Sequence, residues 1–519
     1  MAEYLSPAVY VEELSSGVKP LEGVGTSTAG FVGLAVKGAI GVATPINNFG
    51  EFQTRFGGFS SDALLPFAVK AFFDEGGRSC YVVRTCHYDN NDQPTAVAAN
   101  RAYNAFGDAN QRSLRVEATS AGTWGNDIAI NIQHPAASPE LFQLQVFQSG
   151  VSVETYAELS MDRSLNDYVE TQINGLSQLI RVADIVPANS VLSISARRPA
   201  PTAPNTISDP LQNGDDGLNN LTADDYVGKA SAGSGLNAFD KIDNVNIIAV
   251  PEPVDRAVHV HGMGYCENRQ DCFYVADCQR TIAVADEVLN FKSADGIFAG
   301  GNAISSKYGA LYAPWIEVFD PRTSGRIAIP PSGAIAGRYA GIDGTRGVHK
   351  APAGVVDGKL NSALGLLFDF VTPDQEKLNP KGINLIRTFP GTGPVIWGAR
   401  TASSDPEWRY LNVRRLFIFL RQTLLNGTTW VVFEPNDRTL WKSIERNIAA
   451  FLRLQWLSGA LVGATADEAF YVKCDAETNP PESVALGRVI TEIGVAPSKP
   501  AEFVIFRIMQ QAAGGTSTA

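Results

Sequence analysis

The side chains best suited to catalysis lie between positions 259 and 332. His261, Asp277 and Ser332 supply an imidazole, a carboxylate and a hydroxyl, the three groups of a nucleophilic triad. Their order along the chain differs from the Asp, His, Ser order of the subtilisin triad. Ser332 also stands in Pro-Ser-Gly, without the Gly-Thr-Ser context of that nucleophile. The sequence therefore favours surface and loop roles for these residues over a peptidase.

A metal site could draw on sulfur and imidazole groups from the same stretch. His259, His261, Cys266, Cys272 and Cys278 are ligand types that zinc accepts. The cysteines are spaced six residues apart, which matches neither a C-x-x-C pair nor two ligands one helical turn apart. Buried neutral cysteine is the commoner outcome for such a pattern, so we expect no metal and no cofactor.

Two further segments carry residue types found at ligand sites. The run Pro390-Gly391-Thr392-Gly393-Pro394 is rich in glycine, but it lacks both G-x-G-x-x-G and a following Gly-Lys-Ser/Thr, so we predict a turn. The acidic pairs Asp215-Asp216 and Asp224-Asp225 are interpreted as solvated loop charge, with calcium binding as the open alternative.

Composition excludes several classes of protein. The net charge of −12 argues against sequence-independent nucleic-acid binding, which needs a basic surface. No apolar run approaches the roughly 20 residues that span a bilayer, and the N-terminus lacks a secretory pattern, so we expect cytoplasmic synthesis without membrane insertion. Six cysteines in 519 residues are too few for a disulfide scaffold. Those outside the candidate metal site are interpreted as core residues or ordinary thiols: Cys80, Cys86 and Cys474.

The first part of the chain predicts a mixed α/β unit followed by a β-rich insertion. An apolar strand at 27–36, a helix at 64–73 and a buried strand at 80–84 form the α/β pattern. From 87 to 236 polar residues are enriched and the apolar residues alternate, which indicates antiparallel sheet with one helix near 165–173. The strands predicted in this insertion are 113–118, 128–133, 141–148 and 151–158.

The central part predicts a parallel sheet. A buried strand at 245–251, a helix at 254–268 and a strand at 272–277 make a βαβ unit. Segments 310–319 and 337–340 are interpreted as further strands of this sheet.

The C-terminal part is the most helical. Apolar spacing predicts helices at 413–425 and 438–459, and short apolar runs predict strands. Those strands are 430–433, 470–474 and 487–494. The second helix carries Lys442, Arg446 and Arg453, a candidate basic surface for an acidic partner.

Both ends of the chain carry an apolar strand introduced by proline. Pro7 precedes the N-terminal strand, and Pro497 and Pro500 precede the C-terminal one. The C-terminal run is apolar on both alternating faces, which is typical of a strand covered on both sides by protein. We expect these strands to pair with neighbouring copies of the chain. The residues predicted to do so are Val9, Tyr10, Val11, Phe503, Val504, Ile505, Phe506 and Ile508.

Several phrases of the sequence resemble the tail sheath proteins of contractile phage tails and related injection systems. The most specific are Trp397-Gly398-Ala399-Arg400-Thr401, Phe433-Glu434-Pro435-Asn436, Ala469-Phe470-Tyr471-Val472-Lys473-Cys474 and Ile493-Gly494-Val495-Ala496-Pro497. Others are Pro7-Ala8-Val9-Tyr10-Val11, Gly122-Thr123-Trp124-Gly125-Asn126 and Pro331-Ser332-Gly333-Ala334. The resemblance covers almost the whole chain and is weakest from about 87 to 236.

This resemblance implies a mixed α/β fold with a mixed-sheet core, an antiparallel β insertion, a subtilisin-like α/β middle domain and extended terminal arms. The expected divisions are an N-terminal exchange arm and linker at 1–25, a sheath core at 26–86 plus 380–497, an insertion at 87–236, a middle domain at 237–379 and a C-terminal exchange arm at 498–519.

The resemblance also implies a structural role rather than catalysis. Stacked rings, expected to be hexameric, would form a helical tube around an inner tube protein, bounded by baseplate and terminal cap proteins. The terminal arms would add strands to sheets of neighbouring subunits, and contraction would drive the inner tube through a target membrane. Assembly is expected in the bacterial cytoplasm, and the product is a virion tail or an injection particle. The alternative is an α/β hydrolase-like enzyme that has acquired a β insertion.

Overall fold

The computed structural model describes residues 21–187, 190–202, 209–503 and 505. The predicted strand at Val9, Tyr10 and Val11 lies outside the described residues, as do Val504 and positions 506–519. The structure confirms a mixed α/β class. None of the helices in the described ranges is long and apolar enough to span a membrane.

Twenty strands and fourteen α-helices are present in the described residues. The strands are β1 Ala29–Gly33, β2 Thr44–Ile46, β3 Cys80–Arg84, β4 Asn100–Ala105, β5 Asp108–Ala118, β6 Ile128–Gln133, β7 Leu141–Gln148, β8 Val151–Ser160, β9 Ile180–Asp184, β10 Asp209–Pro210, β11 Ile247–Ala249, β12 Phe273–Asp277, β13 Gly309–Ala313, β14 Ile316–Asp320, β15 Gly325–Ile329, β16 Gly365–Leu366, β17 Ile383–Phe389, β18 Gly393–Ile396, β19 Phe470–Lys473 and β20 Glu492–Val495. The helices are α1 Phe49–Phe56, α2 Leu65–Asp74, α3 Val169–Ile173, α4 Ile194–Arg197, α5 Ala223–Val227, α6 Arg256–Arg269, α7 Ala285–Ser293, α8 Ser332–Arg346, α9 Gly354–Asp357, α10 Thr372–Leu378, α11 Leu411–Gly427, α12 Arg438–Leu457, α13 Ala466–Ala469 and α14 Pro481–Ala485.

The chain divides into two compact units. The larger comprises 25–345 and 352–409, and the smaller comprises 346–351 and the chain from 410 onward, together with 21–24 among the described N-terminal residues. The domain boundaries drawn from sequence remain predictions. One sheet of the larger unit nevertheless takes strands from 26–86, 237–379 and 380–497.

An eight-stranded sheet organises the larger unit. Its order is β18-β17-β13-β12-β11-β1-β3-β2, and the pairs from β17 through to β3 are parallel while β18 and β2 are antiparallel edge strands. β1, β11, β12 and β13 are buried along their whole length, as expected for a sheet covered on both faces. The βαβ unit predicted from β11, α6 and β12 is confirmed.

Helix α8 packs closely on α2 through small residues. A Cβ built on Gly337 would lie 2.3 Å from the carbonyl O of Phe72, and one on Gly333 would lie 2.5 Å from the carbonyl O of Ala68. The prediction of a strand at 337–340 was wrong, because these residues belong to α8. The small residues of α8 recur four positions apart and allow the close approach to α2. Because glycine and alanine are only weakly hydrophobic, this spacing gives little sign of a helix in the sequence.

The antiparallel strands predicted between positions 87 and 236 are confirmed. β6, β7 and β8 lie at the predicted positions with β10, and β4, β5 and β9 form a second sheet. A buried Arg84 at the end of β3 fastens this insertion to the large sheet. Its guanidinium donates to the carbonyl O of Ala121 at 2.6 Å and lies 3.2 Å from the carboxylate of Asp216.

The smaller unit has its own core, formed largely by α11, α12 and the β19–β20 pair. The prediction of a strand at 430–433 was wrong, because Thr429–Val431 forms a 3-10 turn and Phe433 has a φ of 72°. A run of β-branched and aromatic residues suggested a strand, but Val432 and Phe433 are exposed, while Trp430 and Val431 pack against the core without forming a strand. The strand predicted at 487–494 begins only at Glu492.

Candidate functional site

In the structure, Asp277 and Ser332 of the candidate triad are in contact, whereas His261 lies elsewhere. The carboxylate Oδ1 of Asp277, at the end of β12, accepts a hydrogen bond of 2.8 Å from the backbone N–H of Ser332, the first residue of α8. His261 is exposed on α6, and its Nδ1 lies 2.8 Å from the carbonyl O of Ala257 in its own helix. Since Asp277 and Ser332 are buried, their side chains are out of reach of a substrate.

The candidate metal ligands are dispersed among the core and the surface. Cys266, Cys272 and Cys278 are buried free thiols, and the Nδ1 of the buried His259 lies 3.2 Å from the Tyr274 hydroxyl. Burial lowers the pKa of His259 to about 4, so its imidazole is neutral at physiological pH. In the part of the chain that the structure describes, no three His, Cys, Asp or Glu residues are grouped to hold a metal ion.

Helix α12 carries the predicted basic surface on its outer face. The helix begins after Asp437, whose side chain accepts a hydrogen bond of 2.9 Å from the N–H of Leu440, and it buries Leu440, Ile444, Ile448 and Phe451. Lys442, Arg446 and Arg453 are all exposed. Their spacing of four and seven residues places them along one face.

The three cations of that face differ in their pairing. Lys442 forms a 2.6 Å ion pair with Glu445, one turn along the helix. Among the described residues Arg446 and Arg453 make no ion pair, so their charges are available to a partner. Arg446 and Arg453 are therefore the stronger candidates for contact with an acidic surface.

The β19–β20 sheet is a two-stranded pair. Phe470 pairs with Val495 and Lys473 with Glu492, and no third strand joins either side within the described ranges. A two-stranded sheet is marginally stable alone, and each outer edge presents unpaired N–H and C=O groups. Tyr471 on β19 is 58% exposed. The pair can therefore accept additional strands.

The chain beyond β20 is held to the smaller unit as far as Ser498. The N–H of Ser498 donates to the carbonyl O of Ala460 at 3.1 Å, and its own carbonyl accepts from the side-chain amide of Asn412 at 3.2 Å. Beyond this point Phe503 and Ile505 are 75% and 81% exposed and lie in no strand. Two large apolar side chains are thus directed into solvent after a firm anchor.

Exposed apolar side chains are concentrated in the smaller unit. Of the twenty-six large hydrophobic residues exposed among the described positions, eleven belong to it, although it is much the shorter unit. They are Leu425, Val432, Phe433, Leu454, Leu457, Val462, Tyr471, Leu486, Ile490, Phe503 and Ile505. Such a density of exposed apolar surface is typical of a protein interaction surface.

Comparison with known proteins identifies the family. Residues 220–402 match the phage tail sheath protein central domain, and residues 403–511 match the phage tail sheath C-terminal domain, so the two matches together cover more than half of the chain. The chain belongs to the contractile tail sheath family.

Sheath proteins of several phages are similar in sequence. The tail sheath protein of Burkholderia phage BcepMu is 23% identical over 510 residues, which cover 94% of this chain and 93% of that protein. The tail sheath protein of Enterobacteria phage T4 is 24% identical over 266 residues, which are 50% of this chain and 40% of the phage protein. The match to the tail sheath protein of Vibrio phage KVP40 covers 29% of that protein.

Solved sheath structures share the fold. The sheath of an extracellular contractile injection system named PVC, in its contracted state, superposes with a TM-score of 0.60 at 20% identity, covering 98% of this chain and 99% of that one. The helical sheath of the anti-feeding prophage in its contracted state gives a TM-score of 0.59 at 22% identity, covering 98% and 100%. The chain therefore has the fold of these two solved sheath proteins.

The amino-acid sequence predicted some of the exposed residues of the smaller unit and not others. The periodicity of α12 was sufficient to place Lys442, Arg446 and Arg453 on an exposed face. The exposure of Phe433 was missed, because aromatic residues in a short apolar run normally indicate a buried strand. The Asn436-Asp437 start of α12 was the one signal that the preceding residues belong to a loop.

Proposed function

We propose that the chain is a structural subunit of a contractile sheath, joined to neighbouring copies by exchange of its terminal strands. The observation that carries this proposal is that the smaller unit combines three features: a fixed point in the chain, an exposed apolar segment after it, and a two-stranded sheet with open edges. Ser498 is fixed to Ala460, the exposed Phe503 and Ile505 follow it, and β19–β20 offers edges that such a segment from another copy can extend.

Strand exchange would give each junction a substantial strength. Burial of four or five large apolar side chains at about 1.5–3 kcal/mol each, with several ladder hydrogen bonds, gives on the order of 10 kcal/mol before the entropy of ordering is subtracted. The contact is head-to-tail and does not close on itself, so it propagates into a helical tube of stacked rings, proposed to be hexameric. Junctions of this strength would persist while the globular bodies rearrange during contraction.

The proposal places further partners around this tube. An inner tube protein with an acidic surface would contact α12 through Arg446, Arg453 and Lys442. Baseplate and terminal cap proteins would bound the assembly, which would form in a bacterial cytoplasm as part of a phage tail or an injection particle. Contraction would drive the inner tube through a target membrane.

The role proposed is mechanical and not catalytic. The buried contact between Asp277 and Ser332 explains both residues as structural, because the carboxylate joins the end of β12 to the start of α8. A hydrolase-like enzyme is not favoured by any observed side-chain arrangement in the described residues.

Removal of the exposed apolar segment tests the proposal. A chain ending at Glu502 keeps the Ser498 anchor and should remain a folded, soluble subunit that forms no tubes in negative-stain microscopy or sedimentation. The double variant Phe503→Asp and Ile505→Asp should behave in the same way, because neither side chain belongs to the subunit core. The control is Ile297→Asp, an equally exposed isoleucine of the larger unit, which should still assemble. Normal tubes from the truncated chain would refute strand exchange.

A further inference from the structure

A cavity of about 580 Å³ opens in the larger unit where four segments meet. They are the last turn of α7, the loop at 303–305, the 3-10 turn Asn379–Lys381 and the loop at 400–409. Its volume lies in the range of small-molecule sites, about 300–1,000 Å³. Part of its lining is the Trp397–Thr401 phrase that resembles other sheath proteins, which the proposed strand exchange leaves without a role.

The lining of this cavity is strongly basic. Lys292, Lys381, Arg400 and Arg409 contribute four cations, whereas Asp295 is the one carboxylate among its lining residues. The chain as a whole carries a net charge of −12, so the charge of the cavity lining is opposite in sign to that of the whole chain. Clefts lined by one sign of charge concentrate ions of the other sign.

Lys292 occupies a fixed position in the cavity. Its Nζ donates to the carbonyl O of Lys381 and, at 2.9 Å, to that of Ala402. An ammonium group has three N–H donors, so one remains for a ligand. Gly382 allows this approach, because a Cβ there would lie 2.4 Å from the carbonyl O of Thr401 and 3.2 Å from the Nζ of Lys292.

Arg400 is held as firmly as Lys292. Its side chain is buried, its Nη1 donates to the carbonyl O of Asn379 at 3.0 Å, and its backbone N–H donates to the side chain of Asn384 at 2.8 Å. Lys381 and Arg409 are exposed. The cavity therefore has two hydrogen-bonded cations inside and two exposed cations at its mouth, all available to attract negative charge.

We propose that this cavity binds an anion through phosphate or carboxylate oxygens, with Lys292 and Arg400 inside and Lys381 and Arg409 at the mouth. Two sources have this chemistry. One is a free small anion, for which inorganic phosphate is the probe, and the other is an acidic side chain of a second copy. The second source rests on the proposed assembly, whereas the first does not.

The binding depends on pH in a defined direction. Burial, with the nearby charge of Lys381, lowers the pKa of Lys292 to about 8. A bound anion favours the protonated amine, so phosphate should bind about tenfold more tightly at pH 7 than at pH 9, once its own ionisation is accounted for. The other charged groups that line the cavity are Lys381, Arg400, Arg409 and the carboxylate of Asp295.

Amine labelling of the full chain tests the free anion. Acetic anhydride labelling followed by peptide mass spectrometry should show that inorganic phosphate slows modification of Lys292 several-fold. Modification of the exposed Lys241 should be unchanged. The double variant K381Q and R409Q leaves both interior cations in place and should remove the protection, whereas K241Q should not.

Carbodiimide treatment of assembled tubes tests the second source. A cross-link between Lys292 or Lys381 and an Asp or Glu of another copy would identify that side chain as the anion and support the proposal. Absence of both the phosphate protection and the cross-link would overturn it. If the tubes still form when neither phosphate protection nor a cross-link is found, the anion site is refuted but strand exchange is not. The two proposals can therefore be refuted independently.

Discussion

Asp277 and Ser332 are joined by a buried hydrogen bond of 2.8 Å between a carboxylate oxygen and a backbone N–H. The bond connects the C-terminal end of a central strand to the first turn of α8. Among the described atoms, the second carboxylate oxygen of Asp277 and the hydroxyl of Ser332 have no hydrogen-bond partner. A single bond to the backbone compensates poorly for burial of a charge.

This pair predicts a pH-dependent stability. Burial raises the pKa of Asp277 from 3.8 to about 7, so the folded state favours the protonated acid. The stability that this provides is fully present below pH 4 and is lost as pH rises from about 4 to about 7. Asp277→Asn, a neutral isostere, should raise the free energy of unfolding by about 2–4 kcal/mol at pH 8 and change it little at pH 4.

Thermal or denaturant unfolding of the wild type and the variant at both pH values measures this effect. Glu252 is also buried with a pKa raised to about 7, so the pH dependence should be reduced without disappearing. An equal effect of Asp277→Asn at both pH values would show that folding does not raise the pKa of Asp277.

The contact between α2 and α8 predicts opposite effects for two glycines of the same helix. Gly337→Ala places a methyl group 2.3 Å from the Phe72 carbonyl O, so the helices must separate, and we expect a loss of about 2–4 kcal/mol. Gly344→Ala meets nothing within 4 Å and should stabilise α8 by about 0.5–1 kcal/mol. Urea unfolding of both variants measures the difference, and comparable stabilities would contradict the close packing.

The exposed arginines of α12 predict a salt-sensitive contact with an inner tube. Reversal of Arg446 and Arg453 to Glu should reduce sheath assembly on tubes at low salt at least tenfold, because two attractive contacts become repulsive. Lys442→Glu should have a smaller effect, since Lys442 is already paired with Glu445.

Arg421→Glu, a reversal at an exposed arginine of the neighbouring α11, serves as the control for this contact. Co-sedimentation with purified inner tubes at 50 and 300 mM salt is the measurement. Unchanged assembly of the Arg446 and Arg453 variant would remove α12 from the tube interface.

Much of the fold could be predicted from periodicity. The alternating runs that became β5 to β8 and the buried strands β11 and β12 were correctly placed, because burial on one or both faces leaves a clear pattern. Residues 337–340 were misread because glycine at a helix contact carries no hydrophobic signal. The basic cavity could not be predicted at all, since Lys292, Lys381 and Arg409 are far apart in sequence and only the folded sheet brings their segments together.

The most direct test of strand exchange is a disulfide between copies. Ile505→Cys in one isotope-labelled population and Tyr471→Cys or Glu492→Cys in another place thiols on the exposed segment and on the two strands of the β19–β20 sheet. The six native cysteines are buried and should contribute little background. Oxidation of mixed tubes should give disulfides that join the two populations. Well-formed mixed tubes that give no disulfide between the two populations would contradict the account.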